Sequence, residues 1–92
     1  MRGLITRIEL QRIGSNDERY FTVHFKLTGL GLTAKTYLCS NYENYDHWKD
    51  AIMRGTLLDN LCYKHGRERE GLLDADVPPR IISKPPQQQD LL

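Results

Sequence analysis

Between Tyr20 and Leu27 the chain alternates without interruption. Phe21, Val23, Phe25 and Leu27 fall on one side, and Tyr20, Thr22, His24 and Lys26 on the other. Successive side chains of a strand point to opposite faces, so this period of two predicts a strand with one apolar and one polar face. Leu32–Cys39 repeats the pattern, with Leu32, Ala34, Thr36 and Leu38 opposite Thr33, Lys35, Tyr37 and Cys39. Thr28-Gly29-Leu30-Gly31 between them reads as a turn. Upstream, residues 3–11 mix β-branched, apolar and charged side chains and read as a strand. There Ile5 and Ile8 lie three apart, and a bulge near Thr6 would put both on the core face. The cluster Ile13-Gly14-Ser15-Asn16-Asp17-Glu18 supplies the turn that follows.

The texture changes at Ser40. Asn44 or Asp46 can cap a short helix that Gly55 ends, with Tyr45, Trp48 and Ile52 on one face. Thr56–Lys64 returns to a strand pattern, Leu57, Leu61 and Tyr63 alternating with Asp59. His65–Gly71 is a charged loop, and Leu72–Val77 reads as a short fifth strand stopped by Pro78-Pro79. Arg80-Ile81-Ile82 adds an edge segment before a polar tail. No internal repeat is visible.

The predicted fold class is therefore all-β with one short helix between the third and fourth strands. That is the element order of the OB-fold, a five-stranded Greek-key barrel. Gly3-Leu4-Ile5-Thr6-Arg7-Ile8-Glu9, a turn, and Arg19-Tyr20-Phe21-Thr22-Val23-His24-Phe25 resemble the opening of nucleic-acid-binding OB modules. Such modules occur in bacterial replicative polymerases and single-stranded DNA-binding proteins. The resemblance extends over residues 3–77 and rests on a pattern of residue types, not on a diagnostic motif. It implies a barrel with a binding face on the second and third strands; Trp48, with Tyr45 and Ile52 on one helical face, reads as the plug at its bottom.

Length and charge narrow the function classes. The chain has 92 residues. It divides into an expected OB-fold domain over 1–82 and a disordered Pro/Gln-rich tail over 83–92. A domain of that size carries one small core and no deep enclosed pocket. No Gly-rich phosphate loop, nucleophile elbow or helical His pair is present, so no catalysis is expected. No apolar run approaches the ~18–20 residues of a membrane span. Arg7 and Glu9 interrupt any signal-like apolar stretch, so the expected compartment is cytoplasmic. Cys39 and Cys62 are then expected as reduced thiols. Residues 1–40 carry six Lys/Arg against three Asp/Glu, and residues 41–92 seven against nine. The chain is thus not a polycation, but it has one basic half.

The outward face of strands two and three collects Tyr20, His24, Lys26, Lys35 and Tyr37. Aromatic faces on which bases stack, beside cations that track phosphate, are what single-strand binding needs. The same residues also suit an ordinary solvated strand face. Arg67 and Arg69 lie in the loop before the last strand, which flanks the groove in OB-folds; Glu68 and Glu70 alternate with them, as in a solvated hairpin tip. Tyr63 is either core edge or stacking platform, and Tyr42 reads as structural. Cys62-x-x-His65 is one metal-type pair where a structural zinc site wants two, so neither metal nor cofactor is expected. Asp74-x-Asp76 reads as a strand terminator ahead of the prolines.

The last residues, Gln88-Gln89-Asp90-Leu91-Leu92, follow a stiff Lys84-Pro85-Pro86-Gln87 tether. They resemble the peptide by which bacterial replication and repair proteins hold the sliding clamp. The resemblance implies that Gln88 hydrogen-bonds, Asp90 orients the peptide, and Leu91 and Leu92 fill an apolar pocket. Known clamp peptides often have Leu second and end in Phe, where this chain has Gln89 and Leu92. The expectation is a non-enzymatic single-stranded DNA-binding accessory protein of replication or recombination, of phage or mobile-element type, tethered to the clamp. An exposed edge strand also makes a homodimer an expectation. The alternative is a small interaction module or inhibitor that docks on a host protein without nucleic acid. Residue types alone do not separate DNA from RNA.

Overall fold

A computed structural model describes residues 1–86 and turns the two alternating runs into neighbouring antiparallel strands. The elements are β1 (Gly3–Ile13), β2 (Arg19–Leu27), β3 (Thr33–Cys39), α1 (Tyr45–Trp48), β4 (Leu57–Asp59) and β5 (Arg80–Ser83). They form a five-stranded antiparallel sheet in the order β3-β2-β1-β4-β5. No helix among the described residues is long and apolar enough to cross a membrane.

The expected alternation holds in β2, where Val23, Phe25 and Leu27 are buried and Phe21 is half-buried. In β3, Ala34, Thr36 and Leu38 face inward, but Leu32 precedes the strand and is 53% exposed. The bulge expected near Thr6 is present: Ile5 pairs with Phe25 and Arg7 with His24, which turns Ile5 and Ile8 to the core. A second irregularity lies between Leu10 and Arg12. Two bulges in one strand bend it and increase its twist, and the sheet curls as a result.

The core fills the concave side. Ile5, Val23, Phe25, Leu27, Leu38 and Leu58 from the strands meet Leu61, Leu73 and Trp48. Each such fully buried aliphatic or aromatic side chain contributes about 1.5–3 kcal/mol. Trp48 is 0% exposed, packs edge-on to Phe25 with ring centroids 6.2 Å apart, and is flanked by half-buried Tyr45 and Ile52. The helix that carries it is shorter than its pattern predicts. It ends at Trp48, and turns replace the stretch to Gly55. Asn44 precedes it without capping it: its amide nitrogen donates to Asp76 Oδ1 at 3.0 Å, and its buried Oδ1 accepts no hydrogen bond among the described residues.

The second half departs from expectation in two places. The strand predicted over 56–64 stops at Asp59, because Asn60 adopts φ +64° and donates its side chain to the Pro78 carbonyl at 2.8 Å. That kink lets Leu58 and Leu61, three apart, both enter the core. The fifth strand of the sheet is β5, the expected edge segment, and not residues 72–77. The latter make two isolated bridges only, Leu72 to Lys35 in parallel and Leu73 to Tyr63 antiparallel. Asp74 Oδ1 then accepts from the Asp76 N–H at 2.9 Å, and this side-chain turn ends the pairing. The sheet is consequently not closed by a continuous ladder. Beyond residue 82, Ser83 still pairs with Leu57 and half-buried Pro85 packs on Gly55.

Candidate functional site

The register of β2 against β3 sets Tyr20 opposite Cys39, Thr22 opposite Tyr37, His24 opposite Lys35 and Lys26 opposite Thr33. Side chains directly opposite on one face lie about 4.5–5.5 Å apart at Cβ. Tyr20, His24, Lys35 and Tyr37, chosen as a face from sequence, thus meet in one groove of about 550 Å³. Its floor includes Thr22, which is only 5% exposed although it points outward. Lys26 stands on the same face of β2, exposed, but does not line the groove.

The wall contributed by β1 was not among the sequence-predicted site residues. Glu9 and Gln11 line the groove, and Gln11 Nε2 donates to the Thr22 hydroxyl at 3.1 Å. Arg12 lies over the Tyr20 ring, its guanidinium carbon 3.9 Å from the centroid. Lys35 Nζ sits 5.6 Å from the Tyr37 centroid. Both are cation–π arrangements, in which the ring's negative face holds the cation without neutralising it. The signal for β1 was present in part: once Thr6 bulges, Arg7 and Glu9 must face outward. The second bulge, which brings Arg12 to Tyr20, has no comparable mark.

Charge in the groove is mixed. Glu9 Oε1 lies 2.5 Å from His24 Nε2 and 3.2 Å from Arg7 Nη2. These contacts tie down the carboxylate that would otherwise repel an anionic ligand. The Tyr20 phenol is pushed above its ordinary value, first by desolvation and then by the Cys39 thiol opposite.

Arg67 and Arg69 fare differently. The Arg67 guanidinium forms a two-pronged pair with Glu70, of which the Nη2–Oε1 bond is 2.9 Å. That pairing raises the Arg67 pKa and lowers that of Glu70, and Lys35 lowers Glu70 further. The loop therefore borders the groove at Lys35, with its best-placed cation engaged. Arg69 is exposed, and no contact among the described residues brings it to the groove. Tyr42, read as structural, is 64% exposed. Half-buried Tyr63 packs against the core as well as bridging Leu73.

Both thiols are free, Cys39 buried and Cys62 exposed. Among the described residues no three His, Cys, Asp or Glu side chains gather as a metal site would require. Gln88, Asp90, Leu91 and Leu92, expected from sequence to form a docking peptide, lie outside the described residues. Compared with protein-family models, with the curated proteins and with the solved structures, the chain finds no match.

Proposed function

We propose that the protein is a non-enzymatic, single-stranded DNA-binding module whose β2–β3 groove takes the strand. The observation that carries this reading is the convergence of Tyr20, His24, Lys35 and Tyr37 on one open groove, with Arg7 and Arg12 at its β1 side. Bases stack on the tyrosines, and on Arg12 where it covers Tyr20; the flanking cations meet phosphate. Threonine and glutamine on the floor offer hydrogen bonds that any base can use.

In this reading the sheet is an OB-type barrel whose seam is short. The parallel bridge of Lys35 with Leu72 and the antiparallel bridge of Tyr63 with Leu73 support it, because they set residues 71–74 between β3 and the segment that follows β4. The backbone bonds there are sound, with Lys35 N–H to Gly71 O at 2.9 Å and Asp74 N–H to Cys62 O at 2.8 Å. The C-terminal peptide Gln88–Leu92 completes the proposal as a tether to the sliding clamp, on its sequence alone. Two weak contacts on one replicating assembly then act together.

The test is fluorescence anisotropy of labelled oligo-dT at low and moderate salt, with a duplex control. Salt-sensitive binding to the single strand alone is expected, since displaced counterions make phosphate contacts weaken steeply with salt. Absence of binding at tens of micromolar protein would overturn the reading. Removal of residues 88–92 is expected to abolish the calorimetric signal with purified clamp while sparing oligo-dT binding. The competing reading, a module that docks on a host protein, draws on Glu9: a carboxylate inside the groove suits a peptide partner better than a phosphate chain.

A further inference from the structure

A second hollow, of about 320 Å³, adjoins the groove on the far side of Tyr37, which lines both. It exists because the seam is short. After the Lys35–Leu72 bridge, β3 and the following chain separate, and past the Leu73 N–H bond to Lys35 the Thr36 hydroxyl spans the gap, donating to the Leu73 carbonyl at 3.1 Å. Lys35 uses its own N–H and C=O on that edge, toward Gly71 and Leu73. By the two-residue period of a strand, Tyr37 presents its N–H and C=O to the same edge, where no backbone bond meets them among the described residues.

The hollow is thus walled by two exposed tyrosines, Tyr37 at 52% and Tyr42 at 64%, with Lys64 at its side. Its polar lining is mainly acceptor. Asp74 and Asp76 each commit Oδ1 to an internal bond, to the Asp76 N–H and the Asn44 amide respectively. Their Oδ2 atoms make no hydrogen bond among the described residues, and the Tyr37 carbonyl adds a third acceptor beside its own unpaired N–H. Carboxylates repel phosphate but accept from N–H groups. Aromatic walls and unpaired acceptors together suit a nucleobase better than a phosphate backbone.

We infer that this hollow is a base-reading subsite, which takes a nucleobase bearing an exocyclic amine as the strand passes over the Tyr37 ridge. Cytosine, adenine and guanine offer such donors, and thymine offers only acceptors on the corresponding edge apart from its ring N–H. The inference rests on the single-strand reading of the main groove and adds to it a preference against thymine. Lys64 is placed to meet the phosphate beyond the bound base.

The experiment compares oligo-dC with oligo-dT, each about 12 nucleotides long, for the full chain and for an Asp74→Asn plus Asp76→Asn variant. Wild-type protein is expected to bind oligo-dC about tenfold tighter. The variant replaces acceptors by amides that also donate, so the ratio should fall to one or below. General gains from removing negative charge raise both affinities and cancel in the ratio. Tyr42→Ala, an exposed change that spares the fold, is expected to shrink the preference as well. Equal wild-type affinities, or a preference that survives in both folded variants, would overturn the inference and leave the main groove standing. No binding of either oligonucleotide by wild-type protein would overturn both.

Discussion

The indole Nε1–H of Trp48 donates to the carbonyl oxygen of Ala75 at 2.8 Å, which ties the helix to the segment that forms the seam. Sequence pattern places Trp48 in the core; it does not reveal this bond to a residue 27 positions away. Trp48→Phe keeps an aromatic ring against Phe25 but leaves the Ala75 carbonyl without its partner. Unsatisfied buried acceptors cost about 1–3 kcal/mol. The urea midpoint followed by far-UV circular dichroism is expected to fall accordingly, and an unchanged midpoint would show that the bond contributes nothing to the fold.

Tyr37 separates function from stability more cleanly than Tyr20. Its ring is half in solvent, so Tyr37→Ala should shift stability by no more than about 0.5 kcal/mol. Loss of a stacking platform removes about 1–3 kcal/mol per base, about a 5- to 150-fold loss of oligo-dT affinity. Tyr20 is half-buried beneath Arg12, and Tyr20→Ala is expected to lower both affinity and melting temperature. Full affinity in folded Tyr37→Ala protein would move the binding site elsewhere.

These side chains were legible because β2 and β3 are regular. A strict period of two needs no tertiary information, and Tyr20, His24, Lys35 and Tyr37 follow from it directly. What escaped depends on approach between distant segments. Gly71 has φ +66°, and a Cβ there would lie 3.2 Å from the Thr33 carbonyl, so the seam forms where a glycine lets the loop come close to β3. One glycine in a charged loop does not announce that contact. Nor does Asn60 announce a left-handed kink that shortens β4 and lets β5 take the edge. The apparent strand 72–77 has the right composition, but Asp74 turns it away after two residues.

Asp59 gives the fold a dependence on acid. Its carboxylate pKa is lowered, first by the Asn60 N–H, then by Arg80, whose Nη2 lies 2.6 Å from Oδ2, with Arg2 behind. A carboxylate with a depressed folded pKa favours the fold above its unfolded value, near 3.9, and loses that contribution as pH falls through the folded value. Asp59→Asn cannot titrate. Wild-type protein is therefore expected to be the more stable near neutrality, and the two urea midpoints should converge below about pH 4. A gap that stays constant down to pH 2 would mean that the carboxylate is not differentially held.

Glu70 restrains the two cations nearest the groove edge. It pairs with Arg67 through both carboxylate oxygens and feels Lys35 beside it. Arg67 lies in the loop that borders the groove, and the pairing leaves its guanidinium facing a carboxylate. Exposed pairs of this kind stabilise a fold little, because solvent screens them and both side chains lose freedom. Glu70→Gln should therefore leave the melting temperature nearly unchanged. It removes one negative charge from the groove margin and frees Arg67 to reach the strand. Oligo-dT affinity at low salt is expected to rise several-fold, and the salt slope to steepen by about one phosphate contact. Arg67→Ala added to Glu70→Gln should return the slope to its original value. If Glu70→Gln raises affinity with no change in slope, the gain is long-range charge alone, and Arg67 makes no contact with the strand.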